Sequence, residues 1–172
     1  MQASVEPDDF ELKEITQDGL PAAVEMAEHY RLLQQPALAK SICRDILAVE
    51  PDNQRAIVTL ILALTDEFGQ SSSVSSPRAA REHLDGLEDE YQRAYYAGII
   101  SEREARAFLN RGPARGFAYE GFRDAMEWYE RAAAIRPAGN DLSILRWNSC
   151  VRTIQDRKLE PRVEEERELG LE

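Results

Sequence analysis

From Leu20 to Arg157 the apolar positions recur with helical spacing. Ala23, Met26, Ala27, Tyr30 and Leu33 make one stripe, opening at Gly19-Leu20-Pro21, where a proline suits the first helical turn. A turn at Gln34-Gln35-Pro36 leads to a second stripe of Leu38, Ala39, Ile42, Cys43, Ile46 and Leu47, which stops before Pro51. A third helix is expected from about Asn53 to Phe68. A fourth starts at Pro77 and fades near Gly86, and a fifth runs from about Asp89 to Asn110. A sixth runs from about Tyr119 to Arg136 and a seventh from Asp141 to about Arg157. Five serines mark a loop near 69–77, and two glycines and a proline mark another near 111–118. No segment alternates apolar and polar residues with β-branched side chains, so the expected class is all-α without a sheet.

Three of these helices share a pattern that aligns without gaps. It reads Ala39-x3-Cys43-x2-Ile46, Ala80-x3-Leu84-x2-Leu87 and Ala125-x3-Tyr129-x2-Ala132. Pro51 and Pro137 each fall five residues after the last position of the first and third copies. The preceding helices align as well: Ala23, Met26, Ala27, Tyr30; then Ile57, Leu60, Ile61, Leu64; then Ala94, Ala97, Gly98, Ser101.

This pattern resembles the tetratricopeptide repeat, a helix–turn–helix unit of about 34 residues. Ala27 and Gly98 stand at its small position on the first helix, and Tyr30 at its tyrosine. Ala39, Ala80 and Ala125 stand at the small position on the second helix. The resemblance covers roughly residues 20–155. It departs from the family at Ala23, Ile57 and Ala94, where a tryptophan is usual, and at Ile61, where a small residue is usual. The second copy also lacks the closing proline, and the third carries an insertion around Arg111 to Tyr119. The resemblance implies a right-handed superhelical array of about three helix pairs. Helix seven would be its cap, with Ile144, Trp147, Val151 and Ile154 facing inward, because one helix pair cannot bury its apolar face alone.

Charge adds the domain limits. The net charge is −11, from 32 acidic and 21 basic residues. Much of it sits at the two ends, so residues 1–17 and 158–172 read as acidic tails flanking a helical domain at 18–157. So acidic a chain is a poor partner for nucleic acid or anionic membrane. The apolar run from Ala56 to Leu64 falls short of the roughly 20 residues that span a bilayer. No secretory signal opens the chain, and Cys43 and Cys150 sit in helical stretches as two separate packed thiols. These features point to the cytoplasm.

The chain carries little that would do chemistry. There is no Cys-x2-Cys, no His-Glu-x2-His and no glycine-rich phosphate loop. His29 and His83 are single. Glu25, Glu28 and His29 lack further ligands for a metal, and the serines of 71–76 lack a histidine partner. No enzyme, cofactor or metal is expected. Arg103, Arg106, Arg111, Arg115 and Arg123 crowd the second loop. They form a candidate anion patch, weighed against a solvated helix face of alternating charge.

The tetratricopeptide resemblance implies instead a protein or peptide partner, held as an extended peptide or helix in a concave groove. The family's groove positions fall on Val24, Glu28 and Arg31, on Arg55, Val58 and Leu62, and on Tyr95, Ile99 and Glu102. Glu28 stands where chaperone-binding members hold a carboxylate, so no binding to acidic chaperone tails is expected. Tyr95 and its neighbour Tyr96 point about 100° apart on a helix, one to the core and the other outward. Trp128 is a candidate exposed anchor or a cover for the long loop. The alternative function is self-association to a homo-oligomer, through the groove or the Trp128 face.

Overall fold

The structure, a computed structural model, describes residues 10–70, 76–111 and 116–162. It holds seven α-helices and no strand among the described residues: α1 (Leu20–Leu32), α2 (Pro36–Val49), α3 (Gln54–Asp66), α4 (Pro77–Arg81), α5 (Glu90–Leu109), α6 (Ala118–Ala134) and α7 (Leu142–Arg157). Short 3-10 turns precede α1 at Gln17–Gly19 and follow α4 at Leu84–Gly86.

Local chemistry sets most of the helix starts. Proline lies in the first turn of α1, α2 and α4, where its missing N–H costs nothing. The side chains of Asn53, Ser76 and Asp89 accept hydrogen bonds from the first free N–H groups of α3, α4 and α5. The start of α7 lies where Asp141 is expected to open it, but Asn140 supplies the cap. Asp141 makes no capping bond; Asn140 Oδ1 instead accepts from Leu142 N–H and from the Tyr91 hydroxyl, each at 3.1 Å. Gly139, at φ +80°, supplies the left-handed residue that lets the chain turn there.

Successive helices pack on each other, and α3 also packs against both α1 and α5. Two apolar clusters result. One joins Leu20, Val24 and Ala27 of α1, Cys43 and Ile46 of α2, five residues of α3, Leu87 and Ile100. The other joins Ile99, Ala105, Phe122, Ala125, Met126, Tyr129 and Cys150, with Trp147, Val151 and Ile154 of α7 against it. Tyr96 packs on both. Of the nine aligned positions, Ala39, Cys43, Ile46, Ala80, Leu87, Ala125, Tyr129 and Ala132 are buried and Leu84 is half-buried, Leu84 and Leu87 lying beyond the end of α4. Gly98 sits so near Tyr129 that a Cβ there would stand 2.5 Å from the ring. Both cysteines are free and fully buried, and desolvation pushes each thiol up to about 12.

Three expectations change. Met26, Leu33 and Leu38, assigned to apolar stripes, are exposed, because no helix among the described residues packs on the outer side of the α1–α2 corner. The fourth helix stops at Arg81, and its expected second half is the 3-10 turn. Gln54 holds that turn down, donating to the Gly86 carbonyl at 3.0 Å and accepting from Glu88 N–H at 2.9 Å. Trp128, a candidate exposed anchor, is half-buried. It lies against Tyr91, Ala94 and Ala132, with the Arg131 guanidinium 4.6 Å from its ring.

At the edges of the expected domain, Ile15 packs on the first cluster and Leu159 on the second. Arg162 stacks on Phe117 at 4.1 Å, and its N–H donates to Glu120 Oε1 at 2.9 Å. The serines 71–75, Arg115 and most of both acidic tails lie outside the described residues.

Candidate functional site

The helices α1, α3 and α5 lie side by side, and α7 adjoins the far side of α5 through its polar side chains. Across these seams runs a series of ion pairs. Glu28 of α1 accepts both Nε and Nη2 of Arg55 of α3, at 3.0 and 2.8 Å, on the exposed surface. Asp66, at the end of α3, binds Arg31 of α1 at 2.8 Å and also Arg103 of α5. Arg103 donates to Thr65 Oγ1 as well, at 2.9 Å. Glu102 of α5 is only 1% exposed and has three partners, two hydrogen-bond donors and one ion-pair cation. They are the Tyr129 hydroxyl at 2.7 Å, Arg106 at 2.8 Å and Arg146 of α7 at 3.5 Å. Arg106 reaches on to Ser149 Oγ of α7 at 3.2 Å.

The electrostatics follow from this wiring. Asp66 and Glu102 each stand between two guanidinium groups, so each cluster carries one positive charge in excess within an acidic chain. Burial pushes the Tyr129 phenol far up, and the Glu102 carboxylate adds to that, so the hydroxyl stays a donor. Burial also raises Tyr95 and Tyr96, Tyr95 against the opposing pull of Arg146.

The expected groove residues divide. Glu28, Arg31, Arg55, Val58, Leu62 and Tyr95 are exposed or half-buried on the α1–α3–α5 side. Val24, Ile99 and Glu102 are buried: the first two belong to the apolar clusters and the third to the ionic network. Tyr95 and Tyr96 are both half-buried rather than split between core and surface. Tyr95 stacks on Tyr91 at 5.8 Å and meets Tyr96 edge-on at 5.2 Å.

Among the described residues the arginines of the expected anion patch divide, Arg115 lying outside them. Arg103 and Arg106 are bound to Asp66 and Glu102, while Arg111 lies past the end of α5 and Arg123 is exposed on α6. Arg103 and Arg106 do line one open cavity of about 440 Å³, with Thr65, Asp66, Gln70 and Asn110. Sequence reasoning missed Arg146 and Tyr129 as partners of Glu102. They lie 44 and 27 positions away, and no local spacing ties them together.

Among the described residues no group of histidine, cysteine, aspartate and glutamate could hold a metal, and no helix is long and apolar enough to cross a membrane. No family model, curated protein or solved structure matches the chain.

Proposed function

We propose that this chain is a protein-interaction module, a tetratricopeptide-like array of three helix pairs capped by α7, that takes a peptide or a helix along its α1–α3–α5 face. One observation carries the reading: Val58, Leu62 and Tyr95 present half-buried apolar and aromatic side chains, framed by cross-helix ion pairs such as Arg55 with Glu28. An apolar strip between fixed charges selects an extended partner with hydrophobic anchors. The burial of the aligned small residues, and the close approach of Gly98 to Tyr129, support the repeat reading. Glu28 is engaged by Arg55, so neither side chain is a ready-made clamp for a carboxylate. The module is non-catalytic in this reading and works in the cytoplasm.

A second reading is self-association. It is favoured by the large apolar side chains exposed at the α1–α2 corner and near the start of α7.

Selection of a random peptide library on the full chain tests the groove reading. Hydrogen exchange then maps any peptide bound at about 10 µM or tighter. Protection of α3 and α5 amides around Val58 and Tyr95, lost in Val58→Glu, is the expected result. Protection confined to the α6 side, or unchanged binding by Val58→Glu, would overturn it.

A further inference from the structure

We propose that the outer face of the α1–α2 corner is a self-docking surface that pairs two copies of this chain about a two-fold axis. The proposal uses none of the groove side chains and stands whether or not the groove binds peptide.

Four large apolar side chains are exposed at this corner: Met26 by 47%, Leu32 by 73%, Leu33 by 52% and Leu38 by 47%. Ala22 and Ala37 are exposed beside them. Met26 and Leu33 lie seven positions apart, which puts them two turns apart on one side of the chain path. So α1 has two apolar faces. Leu20, Val24 and Ala27 are buried in the first cluster. The other face has no neighbouring helix among the described residues. At the opposite end of the array α6 has α7 packed against it.

Charge identifies the occupant. Leu32 to Ala39 reads Leu-Leu-Gln-Gln-Pro-Ala-Leu-Ala, without one charge, in a chain whose residues are 31% charged. Of the exposed α1 residues, Pro21, Ala22, Glu25, Met26, His29 and Leu32, only Glu25 is an acid or a strong base. Two copies at −11 each carry like net charge, much of it at the chain ends, so a contact surface that presents no charge adds no repulsion of its own. An uncharged patch is self-complementary under two-fold rotation, since it brings no charge against its own like. Leu142 and Leu145 near the start of α7 are exposed too, but they sit among Arg136, Asp141, Arg146 and Arg152.

The size is adequate. The four side chains expose on the order of 400 Å² of apolar surface, the size of the largest patch on a typical monomer, which is often functional. A standard interface buries about 800 Å² on each partner, a little over half of it apolar. The corner therefore supplies nearly the whole apolar share of one side.

Sedimentation of the full chain between about 1 and 200 µM tests this. The mass is expected to rise from 19.5 kDa toward twice that value and level off. Met26→Glu/Leu33→Glu should weaken the pairing tenfold or more with helical circular dichroism unchanged, roughly the effect of losing a central apolar contact. Leu32→Gln/Leu38→Gln, milder because glutamine brings no charge, should act in the same direction and decides the matter if the first variant loses helix. Leu145→Glu should pair like the parent. A monomer at every concentration overturns the proposal, as does pairing that survives both corner variants. Growth past the dimer that Leu145→Glu abolishes overturns it too, since that would be head-to-tail association.

Discussion

Tyr129 of α6 donates its phenolic hydrogen to Glu102 of α5 at 2.7 Å, with both side chains closed to solvent. A carboxylate is costly to bury unless donors surround it. The cost here is offset by the phenol and by Arg106 and Arg146, so α5, α6 and α7 meet at one acidic group.

Unequal costs should follow from cutting this network at its two ends. Tyr129→Phe removes one donor and should lower stability by about 1–2 kcal/mol. Glu102→Ala strands the half-buried Arg146 and the buried phenol together and should cost about 3 kcal/mol or more. Urea unfolding of both variants and of the double variant measures the coupling. Full additivity would mean that the two side chains do not interact.

The sign of Gly98→Ala reports on the α5–α6 approach. Helix propensity alone favours alanine by about 1 kcal/mol. Against this, the new methyl would stand 2.5 Å from the Tyr129 ring, and overpacking of that kind costs about 1–3 kcal/mol. A net loss in thermal unfolding is expected. A gain would show that the two helices lie further apart.

Alkaline pH should loosen the fold before acid does anything comparable through the thiols. Both cysteines ionise near 9.0 when unfolded and near about 12 when folded, because burial opposes the thiolate. A raised folded value means that the contribution is whole below pH 9.0 and is lost as pH rises toward about 12. Native thiols should therefore react with a thiol reagent at pH 8 only as fast as the chain opens, with rates that climb with urea. Rapid labelling without denaturant would contradict this burial.

Asn140 and Asp141 should separate cleanly. Asn140→Ala removes the acceptor for both Leu142 N–H and the Tyr91 hydroxyl and should cost about 1–2 kcal/mol. Asp141→Ala loses only an exposed pair with Arg136 at 3.3 Å and should change the melting temperature little.

Helix limits were legible because their signals are local. Pro21, Pro36, Pro77, Asn53 and Asp89 act on their own first turn, and the observed starts lie within a residue or two of those expected. Burial was legible only where a stripe had a neighbour to meet. Met26 and Leu33 have the spacing of core residues, yet spacing says nothing about whether another helix lies outside α1. The groove positions failed at Val24, Ile99 and Glu102 for a related reason. A helix has no visible rotation in sequence, and a small turn about its axis carries a residue from surface to core. The charges were the least legible part. Arg103 and Arg106 cluster in sequence with Arg111, but their carboxylates come from the end of α3 and from a site one turn back on α5.

The brevity of α4 has a mechanical meaning. Five residues make a stub beside the long rods α3 and α5, so the middle layer of the stack is one helix thick over part of its length. A full helix pair would brace that layer from both sides; here the two apolar clusters are joined through the rods α3 and α5 themselves, with Leu62, Tyr96, Ile99 and Ile100 where they meet.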